Sequence, residues 1–287
     1  MLDDLRHRIR ALERPAVFAE DMAVLSLGVP EVDAVLGGGL ARGALHEIAA
    51  SSEAHLPAAT GFVAGLGRAA CGAAIWLAED MGLAESGALY GPGLDGGGIA
   101  PERLLTVTVA HRRDLLWAME EALHCRSVRL VVGEMRAGAL DAIAVRRLSL
   151  AAAETGALAL LLRGTPPDDA STAATRWIVG AAPASPSPAG GGSACEARQG
   201  GVTALQRSSP PPAHLRFAAA GDLPLPGRGE GRFASEASHF TAHLTRNRRG
   251  PLGSWILTWS NGDGFQLAAH AQPLAAAALD RQHRAVA

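Results

Sequence analysis

The stretch Ala50–Thr60, ASSEAHLPAAT, stands where phosphate chemistry is expected. The residues before it, LSLGVPEVDAVLGGGLARGALHEIA, read like the approach to a phosphate-binding loop. Such a loop follows G-x-x-x-x-G-K-[ST]. Its glycines let backbone N–H groups cradle phosphates, its lysine meets their charge, and its hydroxyl serves a metal ion. Here no glycine occurs until Gly61, and no lysine occurs at all. Ser51, Ser52 and Thr60 offer hydroxyls, but Glu53 and His55 stand among them. A carboxylate at that place repels phosphate.

Two further groups would complete a phosphoryl-transfer site. One is a metal-binding carboxylate at the end of a strand. In RLVVGEM, Gly133 falls at that place, with Glu134 next to it. The other is a glutamate that orients water, and Glu79 in WLAED matches it by position. Phosphoryl transfer depends on the charge that lysine and metal supply, so Glu79 alone has nothing to act on. Glu79 and Asp80 read instead as a surface pair where a strand ends and a helix starts. Arg42 and Arg68 flank the stretch and are the nearest cations for an anion. The residues Ser51, Ser52, Glu53, Thr60, Glu79 and Gly133 are therefore expected to mark a degenerate nucleotide site. No catalytic residue, cofactor or metal is assigned.

The composition reinforces this. All 26 basic residues are arginine, which excludes a phosphate-loop lysine anywhere and any lysine Schiff base. A net charge of -2 over 287 residues excludes a global basic field that draws the chain to nucleic acid or membrane. Any such contact is a local patch. Cys71, Cys125 and Cys195 are far apart, with no zinc-type spacing. The expectation is reduced thiols in a cytoplasm. The charged start MLDDLRHRIRALERP lacks the apolar stretch of a signal peptide, and GALALLL is too short to span a bilayer.

Contact residues are fewer. Arg246, Arg248 and Arg249 form the densest basic cluster and read either as phosphate contacts or as charges that protect an edge strand. Arg176 reads as a partner for an acid or for another protein. Trp255 and Trp259 are separated by an even interval and face one way on a strand, with core or interface packing expected. His46, in an apolar strand, reads as a hydrogen-bonded core residue.

These residues need elements to hold them. Leu2, Leu5, Ile9 and Leu12 predict an amphipathic helix that Pro15 ends, within an arm over 1–22. From residue 23 to 183 strands alternate with helices. Ala44–Ala50, Ala73–Glu79, the stretch after Pro101, Val128–Val132 and Ala157–Arg163 read as strands. Leu56–Ala70, the HRRDLLWAMEEALHC stretch and Leu140–Thr155 read as helices, and Gly87–Gly98 as a glycine-rich loop. Crossovers of this length mean a mainly parallel α/β sheet with helices on both faces. Residues 184–237 are rich in proline, glycine and serine and read as a flexible insert. Over 238–270, HFTAHLTRNRR, SWILTWS and GFQLAAH predict an antiparallel strand extension that completes the core. Residues 271–287 read as a polar tail.

Seven segments, in order, resemble the ImuA family of bacterial RecA-like inducible mutagenesis proteins: LGGGLARGALHEI, LYGPGLDGGGIAPERLLTV, DLLWAMEEAL, RRLSLAAAETG, LLLR, STAATRWIV and RNRRGPLGSWILTW. Relatives of that family are sometimes labelled SulA-like. The resemblance implies a RecA-like core and a place in SOS-linked translesion synthesis. It implies as partners an ImuB-like Y-family protein and an error-prone DnaE-type polymerase. A RecA filament and single-stranded DNA are further candidate contacts. The expected protein is a pseudo-ATPase adaptor, with the Leu2–Leu12 helix or the part from Arg246 binding the partner. The alternatives are a DNA-dependent ATPase with an atypical loop and a SulA-like inhibitor of cell division.

Overall fold

The computed structural model describes residues 23–136, 138, 140–168, 171–182, 216–219 and 238–268. The arm over 1–22, the tail over 271–287 and most of 184–237 lie outside the described residues.

The chain opens with β1 (Val24–Leu25), α1 (Pro30–Leu36) and β2 (Leu40–Ala41), where β1 and β2 pair antiparallel. Pro30 sits in the first turn of α1, where its missing N–H costs nothing. Gly37 ends α1 at φ 72°. Gly39 lets the backbone close on β1, because a Cβ there would stand 2.3 Å from the Leu25 carbonyl oxygen. The LGGGL motif is thus a helix stop and a tight return.

The core then alternates. It runs β3 (Ala44–Ala50), α2 (Leu56–Arg68), β4 (Ala73–Glu79), α3 (Asp80–Ser86), α4 (Gly91–Gly97), β5 (Leu104–Val109), α5 (Arg112–His124), β6 (Val128–Met135), α6 (Ala142–Thr155), β7 (Leu158–Arg163) and β8 (Thr175–Ala181). It finishes with β9 (Arg216–Ala219), β10 (Ser238–Asn247), β11 (Gly253–Ser260) and β12 (Gly264–Leu267). One ten-stranded sheet has the order β12-β11-β10-β8-β3-β7-β6-β4-β5-β9. The six strands β8-β3-β7-β6-β4-β5 are parallel, and β9, β10, β11 and β12 join antiparallel. The mainly parallel sheet, helices on both faces and C-terminal antiparallel extension are the layout expected from the sequence.

Side-chain alternation splits the sheet into two apolar layers. On one face Ile48, Trp76, Leu130, Leu160 and Trp177 pack with Phe62 and Val63 of α2. On the other, Leu77, Val131 and Leu161 pack with Leu115 and Met119 of α5 and Leu148 of α6. Trp259 lies in the first layer, edge-on to Phe265 at 4.8 Å, and donates its indole N–H to the Gly96 carbonyl at 3.1 Å. Trp255 packs on Trp177 at 5.9 Å. The two tryptophans are packing residues.

Three readings of the elements change. Gly91–Gly97, inside the stretch read as a loop, is helix α4, with Pro92 in its first turn and Leu94 buried. Arg216–Ala219, inside the stretch read as a flexible insert, pairs with β5 as an edge strand. Short apolar TRWIVGA carries no turn signal and is β8, a central strand.

Candidate functional site

Strand β3 delivers the chain to Ser51 at the carboxyl edge of the sheet. No wide loop follows. The Ser51 N–H donates to the Val179 carbonyl at 2.8 Å, Glu53–His55 is one turn of 3-10 helix, and α2 starts at once. Ser51 Oγ is hydrogen-bonded to His55 Nδ1. Thr60 Oγ1 donates to the Leu56 carbonyl of its own helix at 3.0 Å, so that hydroxyl is occupied. Ser52 and Glu53 are exposed. Pro57 removes one N–H from the first turn of α2, where an anion would otherwise be held.

Beside this turn lies a cavity of about 610 Å³, between α2, α3, α4 and the end of β6. Leu56, Pro57, Leu83, Leu89, Tyr90 and Leu94 give it apolar walls, and Glu53, Glu134 and Arg136 supply its charge. Its position follows from topology. The chain leaves β4 onto the α2 face and leaves β6 onto the α5–α6 face. That is a switch point, where crevices form outside the carboxyl ends of parallel strands.

Here the sequence register was one residue off. Gly133 faces away from the cavity, and a Cβ there would stand 2.1 Å from Met119 Sδ of α5. Successive residues on a strand face opposite ways, so the carboxylate on the cavity side is Glu134. It is 9% exposed, and Trp76 Nε1–H donates to its Oε2 at 3.0 Å. Burial pushes the Glu134 carboxyl above its ordinary value, against the pull of the Trp76 hydrogen bond and the Arg136 charge. Arg136 Nη2 donates to the Gly82 carbonyl at 3.1 Å.

Glu79 also faces away. Its carboxylate lies 3.7 Å from Arg112 Nε at the start of α5, on the face opposite α2. Asp80 begins α3 and accepts from the Met81 N–H at 2.7 Å, as a helix-start residue does. The six residues of the expected nucleotide site are therefore not brought together. Ser51, Ser52 and Glu53 lie at the turn, Thr60 lies within α2, and Glu79 and Gly133 serve the other layer.

The arginines lie elsewhere. Strand β10 runs antiparallel to β8, with Asn247 opposite Thr175 at the start of β8. Arg246, Arg248 and Arg249 thus sit at the amino edge, a strand length or roughly 20 Å from the cavity. At this edge arginines meet carbonyls. Arg42 Nη2 donates to Ala69, Arg246 Nε to Ala173 and Arg249 Nη2 to Gly37. Arg68 Nη1 donates to Asn261 and Arg103 Nε to Gly72. Ala69 and Gly37 cap the C-termini of α2 and α1. Helix C-termini end in unpaired carbonyls and carry partial negative charge, which cations satisfy. Arg42 and Arg68 therefore do not flank the candidate site in space. Arg248 is exposed, and its backbone N–H donates to the Ala174 carbonyl.

Arg176 is internal. Its Nε donates to Glu47 Oε2 at 2.7 Å, with side-chain exposures of 13% and 1%. Ser171 Oγ donates to Glu47 Oε1. That pair belongs to the core, and neither Glu47 nor Glu134 was singled out as a site residue from the sequence. A carboxylate inside an apolar strand was the available signal for both. His46 is fully buried, with Nδ1 at 2.8 Å from Thr175 Oγ1 and Nε2 at 2.9 Å from the Ala41 carbonyl. Among the described residues no group of His, Cys, Asp and Glu side chains could hold a metal ion, and no helix is long and apolar enough to cross a membrane.

Fold and site define an α/β protein with a mainly parallel sheet, in which a tight turn joins β3 to α2 and a cavity opens beside that turn. No protein-family model matches the chain. It is 32% identical to Protein ImuA of Caulobacter vibrioides strain NA1000 / CB15N over 182 residues, covering 58% of this chain and 71% of that protein. Protein ImuA of Caulobacter vibrioides strain ATCC 19089 / CIP 103742 / CB 15 gives the same values. The chain belongs to the ImuA family. The crystal structure of the RadB recombinase aligns at 14% identity with a TM-score of 0.46, covering 85% of this chain and 100% of that one.

Proposed function

We propose that the chain is a non-catalytic adaptor of the SOS-inducible mutasome. It acts in the bacterial cytoplasm and supports error-prone translesion DNA synthesis beside an ImuB-like Y-family protein and a DnaE-type polymerase. One observation carries the non-catalytic part. Where a phosphoryl-transfer site needs lysine and metal charge, this chain offers Glu53 and Glu134 around an apolar cavity, and no lysine anywhere. Acidic side chains at these places oppose a bound polyphosphate instead of drawing it in. The family supports the mutagenesis context. A RecA filament and single-stranded DNA are further contacts of the proposed adaptor.

The test has two arms. Purified protein with single-stranded DNA is expected to release no phosphate from ATP, and turnover that follows the protein through successive purification steps would overturn the non-catalytic reading. Co-expressed with the ImuB-like protein, the chain is expected to co-purify with it. Removal of residues 1–22 together with the part from Arg246 should end that association. Unchanged co-purification would mean that neither segment carries the contact.

A further inference from the structure

The 610 Å³ cavity has a chemistry of its own. It is within the size range of small-molecule sites, which combine apolar walls with a few placed polar groups. Glu134 is its buried polar group. One carboxyl oxygen, Oε2, receives the Trp76 indole N–H from beneath. Among the described residues no second donor meets the carboxyl at Oε1, while Nε of the cavity residue Arg136 is buried and unpartnered. A carboxylate has room for about four donors, so an acceptor position is left on the side of the cavity that Glu134 lines.

The walls exclude a strong anion. Glu53 at the mouth and Glu134 at the floor are acidic, Pro57 removes an N–H from the nearest helix turn, and the Thr60 hydroxyl is bound to its own helix. A strong cation is opposed by Arg136 beside Glu134. An uncharged group with an apolar body and an N–H donor fits. The protein already contains one such pairing, since the Trp76 indole is a flat apolar body that donates to this same carboxyl.

We infer that the cavity binds a small uncharged heteroaromatic molecule, held between Leu83, Leu89, Tyr90 and Leu94, whose ring N–H or amino group donates to Glu134 Oε1. This goes beyond the adaptor reading. It concerns a ligand of the isolated chain and stands or falls without any partner protein.

The test is calorimetric titration of the full chain with three probes: indole, adenosine and ATP. Indole, adenosine or both are expected to bind, with ATP at least about tenfold weaker than the better of them, because its phosphates meet carboxylates. Ala88→Trp changes an exposed residue that lines the cavity and should obstruct it, weakening the bound probe by at least about tenfold. Glu134→Leu keeps the apolar volume, removes the acceptor and should weaken binding by a similar factor. Ala88→Trp keeps the test decisive if Glu134→Leu does not fold. Binding of neither indole nor adenosine overturns the inference. So does ATP binding more tightly than both, or binding that Ala88→Trp leaves unchanged. Co-purification with the ImuB-like protein is read separately, so failure here leaves the adaptor reading standing.

Discussion

Trp76 on β4 and Glu134 on β6 share a face of the sheet, and the indole N–H donates to Glu134 Oε2 at 3.0 Å. The hydrogen bond stabilises the charged carboxylate, while burial opposes charge. Trp76→Phe removes the donor and leaves the ring mass. The buried oxygen then loses its partner, at a cost of about 1–3 kcal/mol. The sign of the pH dependence follows. The folded pKa of Glu134 is already above its unfolded value, so its contribution is present below about 4.5 and is lost as pH rises through the folded pKa. Without Trp76 that pKa rises further, and the penalty of Trp76→Phe should be larger at pH 8 than at pH 5. Urea unfolding at the two pH values measures it. An equal penalty at both would show that the hydrogen bond does not act on the ionised form.

His46 works in the opposite direction on the acid side. Its ring is fully buried between Thr175 and Ala41, and burial lowers its pKa from 6.5 to about 4. The unfolded chain therefore binds this proton more readily than the native one. The contribution of the neutral ring is fully present above about pH 6.5 and is lost as pH falls from there through about 4. The total is on the order of 3 kcal/mol. Unfolding free energy should fall across that window in the wild type. His46→Asn should be less stable at pH 7 and should flatten the slope. A slope unchanged by the substitution would assign it to other groups.

Glu47 and Arg176 form a pair whose members sit on neighbouring strands β3 and β8. Arg176→Ala strands a carboxylate that is 1% exposed, and the expected cost is about 3–5 kcal/mol, read by denaturant unfolding. Replacing both residues, as Glu47→Gln with Arg176→Met, should recover much of that loss, because no buried charge is left unpaired. If the single substitution costs less than about 1 kcal/mol, Arg176 is available for a partner after all.

The strand and helix pattern was legible because buried parallel strands and amphipathic helices differ in period. The antiparallel extension was legible from the closely spaced runs HFTAHLTRNRR, SWILTWS and GFQLAAH. Helix α4 was not, since glycine lowers helix propensity and hides a seven-residue helix held by Leu94 and by packing on Ala64. Strand β8 was hidden by its polar neighbours. At Ala50–Thr60 the sequence shows which residue types a phosphate loop would need and this chain lacks. The site was not legible at β6, because a one-residue change of register moves a side chain to the other face of the sheet. Nor could the sequence show that Arg249 of RNRRG donates to the end of α1 and Arg246 to the Ala173 carbonyl, since these acceptors lie far away along the chain.

That register argument gives the last prediction. The place of Gly133 in RLVVGEM alone suggests that Gly133→Asp supplies a metal carboxylate. The structure says that it fills the space of Met119. A Cβ at residue 133 already meets Met119 Sδ far inside contact distance, and the charged remainder would enter the layer of Val131, Leu115 and Leu148. Overpacking alone costs about 1–3 kcal/mol, and an unpaired buried carboxylate adds to it. Gly133→Asp should lower the melting temperature markedly and should bind neither magnesium nor ATP. Gly133→Ala, with the methyl alone, should show the smaller, steric share of that loss. If Gly133→Asp were as stable as the wild type and bound magnesium, residue 133 would have to face the cavity, and Glu134 would lose its place in the site.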